Sequence, residues 1–426
     1  MVNTQARAVP GSNMAQTHTI PATAQEQTSG DSKRNLRLLV GAQSLGGASP
    51  PIIISLGGLV GQALTDTPAL ATLPVSLFNL GLALSTIPAA LLMRSKGRRT
   101  AYLTGAAMGL ASGLVAALGI HLADFWLFCT GTALAGFYAA CVQSYRFAAS
   151  DSVPAPDRSR AISLIMVGGL FAAIIGPQVV IWTRDLAWFA HAPFTGSFLG
   201  QGVLALLAIP LIASLKMPRP QAQAADGQGQ GRPLREIARM PRFVAAVTAG
   251  VVSYGLMAFI MTAAPVAMVG HGHTAGDAAL GIQWHVLAMY APSFFTGRLI
   301  ARFGELRITA LGLVLIAASG LVALQGGMLW SFWGSLILLG VGWNFGFIGA
   351  TAMVADCYSP EERAKVQALN DFLVFGTVAA ASFGSGGLLL ASGWNTINLA
   401  MQPIVAATLV LLAWHAWRRE PATAAS

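Results

Sequence analysis

Two pairs of potential metal ligands with the same spacing stand one helical hairpin apart in this chain: Met257-xxx-Met261 and His285-xxx-Met289. Residues four apart share a helix face, with Cβ atoms roughly 5–6 Å apart. Thioethers are soft ligands suited to Cu(I), and imidazole accepts copper as well. Three neutral thioethers and one imidazole would leave Cu(I) its single positive charge. They would also hold it more loosely than thiolates, which suits cargo that must be released. Imidazole binds only when unprotonated, so affinity would fall as pH drops through its pKa. The same residues also have an ordinary reading. Methionine fills apolar cores, and a histidine inside a span can hydrogen-bond a neighbouring helix. Met268 follows on the same helical face, and with His271 and His273 it forms a candidate vestibule.

Both pairs lie in long apolar segments. The 426 residues are 55% hydrophobic and only 10% charged, with 47 glycines, too apolar for a soluble globule and rich in the small residues that let membrane helices approach closely. Twelve apolar spans are predicted, at roughly 36–60, 69–93, 101–121, 125–147, 161–183, 198–215, 243–269, 279–301, 307–325, 328–354, 365–390 and 396–415. The expected class is all-α: a polytopic membrane protein with twelve transmembrane helices in two six-helix bundles. Residues 1–34 are expected to be a disordered cytosolic tail, 35–215 the N-terminal bundle, 216–241 a cytosolic linker, 242–418 the C-terminal bundle and 419–426 a cytosolic tail.

Charge supports this division. Of the 25 lysines and arginines, all but Arg184 fall on one side of the twelve spans. The positive-inside rule then makes both termini cytoplasmic. The formal charge of +9 is accounted for by topology, so no nucleic-acid partner is expected, while the lipid bilayer is. The first 33 residues lack the apolar core of a cleaved signal peptide, and the first span is expected to direct insertion. Cys129, Cys141 and Cys357 form no CxxC or CxxxC pair, so neither a zinc site nor a disulfide framework is indicated. No GxxxxGK[ST] loop for ATP is present, and no cofactor or enzymatic activity is expected.

The halves echo each other about half a chain length apart. Ala90-Leu-Leu-Met-Arg94-Ser-Lys-Gly97-Arg98-Arg99 is matched by Gly297-Arg-Leu-Ile-Ala-Arg302-Phe-Gly304-Glu305-Leu306, and the stretch from Asp151 to Arg160 by Asp356 to Arg363. Such internal symmetry is a transporter signature and puts a substrate site between the bundles near the midplane. On these motifs the chain, from residue 35 to 418, resembles the major facilitator superfamily. The loop after the second span keeps the family's Gly97, Arg98 and Arg99. It has Ala90 for the family's first glycine and Arg94 for its aspartate, so a charge-relay role for that aspartate does not carry over.

Within that superfamily, the two spaced pairs resemble the motif of the CcoA-like (CalT) bacterial copper importers. The resemblance implies that Met257, Met261, His285 and Met289 bind copper, as Cu(I), as the transported substrate in a bacterial inner membrane, with the oxidation state at entry left open. It further implies import by alternating access, a periplasmic copper donor, a cytosolic copper chaperone, supply of copper to cytochrome oxidase assembly, and action as a monomer. The same branch includes riboflavin importers, for which Trp284, Tyr290, Trp343 and Asn344 offer stacking and hydrogen bonds. Gly176-Pro177 suggests a third reading, a proton-coupled drug or metabolite exporter, although Val180 and Ile181 stand where that motif has glycines, which favours a helix kink. A copper-binding sensor or assembly factor on the same motif is a fourth. Gln43, Asn79, Gln143, Gln178, Asn344, Asn370 and Asp371 are the other polar residues within spans; Asp371 is expected to pair with Arg363 or Lys365 or to carry a coupling proton.

Overall fold

The computed structural model describes residues 22–153, 158–217, 231–359 and 361–417. Its helices are α1 (Ala22–Gly46), α2 (Ser49–Leu64), α3 (Leu73–Lys96), α4 (Arg98–His121), α5 (Phe125–Gln143), α6 (Tyr145–Asp151), α7 (Arg158–Thr183), α8 (Thr195–Ala213), α9 (Leu234–Ala238), α10 (Pro241–Gly270), α11 (Ala275–Tyr290), α12 (Ser293–Phe303), α13 (Glu305–Ala323), α14 (Leu329–Ala355) and α15 (Arg363–Trp417). Among the described residues there is no strand. The expected twelve spans are all present, several of them broken. The first is α1 plus α2, the fourth α5 plus α6, and the eighth α11 plus α12. The last two are α15, divided where Gly393 leaves helical geometry at φ 78°.

Each break has a local cause. Pro50 and Pro51 lack the N–H that would continue α1, so α2 starts afresh with proline in its first turn. Pro292 does the same between α11 and α12. Glycine then allows the broken segments to pack. A Cβ on Gly46 would sit 2.6 Å from the Tyr138 hydroxyl, and one on Gly176 would sit 2.7 Å from the Ala48 carbonyl oxygen. Gly176-Pro177 therefore lets α7 close on the interrupted first span.

The repeat is visible at the face that carries the basic loops. Gly97 and Gly304 turn the chain with φ of 88° and 85°, a region that favours glycine. In the first half, Arg98 donates to Asp151 at 2.7 Å. In the second half Glu305 follows the turn glycine where Arg98 does in the first, so two acids meet and Arg242 supplies the cation. It donates to Glu305 at 2.8 Å and also to Asp356. A second tie, from Arg232 to the buried Glu362 (2.9 and 3.0 Å), joins the segment preceding α10 to the start of α15.

Helix α1 begins at Ala22, inside the stretch expected to be tail, because the Ala- and Gln-rich residues there continue the helix. Residues 1–21, most of the linker (218–230) and the C-terminal tail (419–426) lie outside the described residues.

The two halves meet on the face opposite the basic loops. There Gln178 donates to Gln283 at 3.0 Å, and Ser76 shares a hydrogen bond at 3.2 Å with Ser382, which Thr262 of its own half holds at 3.0 Å. The ion pairs of the basic face, by contrast, each stay within one half among the described residues. The hydrogen bonds between the halves among the described residues thus lie on the face opposite the basic loops.

Hydrogen bonding from Arg232 holds the Glu362 carboxyl down at about 2 from its ordinary 4.5. A depressed carboxylate stabilises the fold above its unfolded pKa, and that contribution is lost as pH falls through the folded value. The thermal midpoint of detergent-solubilised protein is thus expected to hold between neutrality and about pH 5 and to fall between about 4.5 and 2. In Glu362→Gln, scanning fluorimetry should show a lower midpoint at pH 7 and a shallower acid limb. An unchanged profile would exclude this tie.

Candidate functional site

A cavity of about 940 Å³, including its opening, lies between the halves and draws its walls from α1, α2, α3, α5, α7, α10, α11 and α15. The helix breaks surround it. Gln43, Gly46, Gly47, Pro50 and Pro51 line it at the break of the first span, Gln143 at the end of α5, and Tyr290 at the end of α11. Non-helical backbone at membrane depth is tolerated where it lines a cavity, and broken helices mark transporter binding sites.

The second half contributes Tyr254, Met257, Ala258, Met261 and Thr262 from α10, and Val286, Met289 and Tyr290 from α11. At about 100° per residue the α10 set forms one continuous face. His285 does not join the cavity. It is fully buried, and its Nδ1 hydrogen-bonds the Leu336 carbonyl of α14 at 2.7 Å. Residues four apart still differ by about 40° around a helix. That offset lets Met289 reach the cavity wall while His285 faces α14. Three of the four expected copper ligands are thus brought together, without the imidazole.

Other candidates settle into structural roles. Asn344 is buried beside the α11–α12 break. Its Nδ2 donates to the Met289 carbonyl and to Ser293 Oγ, both at 2.7 Å, while its Oδ1 accepts from Thr296 at 2.6 Å. It satisfies the carbonyl that the break leaves free, and so fixes Met289 and Tyr290. Trp343 stacks on Phe347 at 5.3 Å behind Tyr254, which contacts both rings edge-on. Trp284 is exposed and outside the cavity. Met268 is buried, and His271 and His273 hydrogen-bond the carbonyls of Ala267 and Gly327, each at 2.7 Å. The expected vestibule is therefore a packed corner against Phe332.

Asp371 forms no ion pair with Arg363 or Lys365 among the described residues. Its carboxylate accepts from Asn370 at 3.2 Å, and Lys365 donates to the Gly231 and Arg232 carbonyls. Arg146, at the start of α6, is near enough for its charge to act on Asp371, Tyr254 and Tyr290. Sequence reading passed over Phe78, Tyr254 and Arg146. The prolines and glycines that interrupt neighbouring spans were the available signal.

Residues 39–291 and 247–426 match the model of the Major Facilitator Superfamily. The chain belongs to that superfamily. It is 62% identical over 380 residues to the riboflavin transporter RfnT of Brucella anthropi, covering 89% of this chain and 95% of the relative. It is 30% identical to the uncharacterized MFS-type transporter YdeG of Bacillus subtilis, over 86% of this chain and 88% of the relative. The crystal structure of the superfamily transporter FucP in its outward conformation aligns with a TM-score of 0.60 at 17% identity, covering 89% of this chain and 98% of that one. That likeness bears on the fold alone. These findings place the chain among multi-pass membrane transporters, which are not enzymes.

They also correct the cargo. The expectation of copper import, with its copper donor, chaperone and role in cytochrome oxidase assembly, is overturned by a 62% relative that is a riboflavin transporter. The physical reason the spaced pairs misled is that methionines on a cavity wall serve an aromatic ligand as well as a soft metal.

Two substitutions separate wall from scaffold. Asn344→Leu should leave the Met289 carbonyl buried and unpaired, at a cost of about 1–3 kcal/mol, read as a lower midpoint in denaturant. His285→Leu should likewise lower stability while leaving the affinity for cavity ligands within about twofold, whereas Met261→Ala should change affinity more than stability.

Proposed function

We propose that this protein carries riboflavin across the bacterial inner membrane into the cytoplasm by alternating access. The carrying observation is the 62% identity with a riboflavin transporter along nearly its whole length. The cavity is chemically suited to that cargo. Riboflavin joins a planar, largely apolar tricycle to a polar imide edge and a hydroxylated chain. Phe78, Tyr254 and Tyr290 offer aromatic faces and edges, Met257, Met261 and Met289 offer polarizable sulfur against a ring, and Gln43, Asn79 and Gln143 offer hydrogen bonds.

The basic loops put both termini in the cytoplasm. With that orientation, the hydrogen-bonded face between the halves is the periplasmic one. Residues 35–215 and 242–418 would act as the two rocking bundles, with 216–241 as the linker, in a monomer. Met257, Met261 and Met289 are assigned to the cavity wall and His285 to its support.

Uptake of labelled riboflavin by riboflavin-auxotrophic cells tests this. Cells expressing the wild-type chain should accumulate it with time, and Tyr290→Ala should lower the initial rate by about tenfold or more. Accumulation equal to that of cells lacking the protein would overturn the proposal.

A further inference from the structure

Carboxamides inside a bilayer are costly unless paired, and in this protein they divide into two groups. Away from the cavity, the buried and half-buried ones each donate or accept at least one bond within the protein, as Gln178 and Gln283 bond each other, Gln201 donates to Ser112, Asn344 to Met289 and Gln402 to the Ala317 carbonyl, although the oxygens of Gln201 and Asn398 are buried without a partner. Inside the cavity, Gln43, Asn79 and Gln143 have no side-chain hydrogen-bond partner among the described residues. Their placement is specific. Gln43 lies over the break in the first span, where a Cβ on Gly47 would come within 3.0 Å of its amide nitrogen.

The three also come from three different spans of the first half, and the facing wall differs in kind. The second half presents three thioethers and two phenols, and its Thr262 is already occupied by Ser382. A primary carboxamide sets a donor beside an acceptor. That pattern complements a cyclic imide, where a ring N–H stands between two carbonyls. A phenol, with one hydroxyl, cannot match both groups at once.

We propose that Gln43, Asn79 and Gln143 read the imide edge of the flavin ring, while Met257, Met261 and Met289 hold its methylated, apolar rim. The ring then lies across the two halves in one orientation, its polar edge toward α1, α3 and α5. This assignment rests on the flavin reading of the cavity and adds which half recognises which end of the ligand. It also makes the imide N–H the group by which the carrier tells flavins from other planar aromatics, because a site built for hydrogen bonds rejects ligands that leave its polar groups unpaired.

The test uses the full-length protein in liposomes, with riboflavin, its N3-methyl derivative and lumiflavin, which keeps the imide and lacks the hydroxylated chain. Wild-type protein should be inhibited by lumiflavin and should take N3-methylriboflavin with an apparent KM at least about tenfold higher than riboflavin. Gln143→Leu should raise the riboflavin KM toward that of the methyl derivative and leave the latter within about twofold, which also shows that the variant is folded. Equal KM values for the two flavins in wild-type protein would overturn the orientation while leaving flavin transport intact. A variant that weakens both flavins equally would do the same. Absence of transport of every flavin would overturn the flavin reading itself, and this assignment with it.

Discussion

A polar group within a bilayer must find its partner inside the protein, and that single constraint orders this structure. Charges are driven to the rim, where Arg98–Asp151, Arg242–Glu305–Asp356 and Arg232–Glu362 tie each half to itself. Neutral groups at depth are matched pairwise, as in Gln178–Gln283 and Ser76–Ser382 between the halves. Three carboxamides with no side-chain hydrogen bond among the described residues, Gln43, Asn79 and Gln143, border one cavity.

The backbone follows the same rule. The breaks at Gly46–Ala48, Ser144 and Ala291–Pro292 flank the cavity, and Asn344 takes up a carbonyl that one of them frees. Glycine and proline thus do two things together. They interrupt helices where a ligand is to be met, and they let neighbouring helices close on the gap, as Gly176 does against Ala48. Contacts between halves on one face are neutral hydrogen bonds and close packing, individually modest.

Much of this was legible in the sequence. Apolar length, the one-sided basic residues and the echo of Gly97-Arg98 in Gly304-Glu305 are composition-level signals that tertiary packing cannot override, and they led to the right fold. Register was harder. Whether His285 faced the cavity or α14 depended on about 40° of helix rotation, which depends on neighbours that no local pattern names. Cargo was harder still. Met257, Met261 and Met289 do border the site, but a thioether wall suits a soft ion and an aromatic ring alike. Asn344 shows the same limit, since its partners, the Met289 carbonyl and Ser293, are brought to it by packing across some fifty residues of sequence.

The most direct test of the account is a structure of the protein with riboflavin bound, solved by cryo-electron microscopy in lipid nanodiscs. The account requires ligand density between α10–α11 and α1–α3–α5, with the tricycle against Tyr254, Met257, Met261 and Met289. Density only at another surface, with this cavity empty at saturating riboflavin, would contradict it.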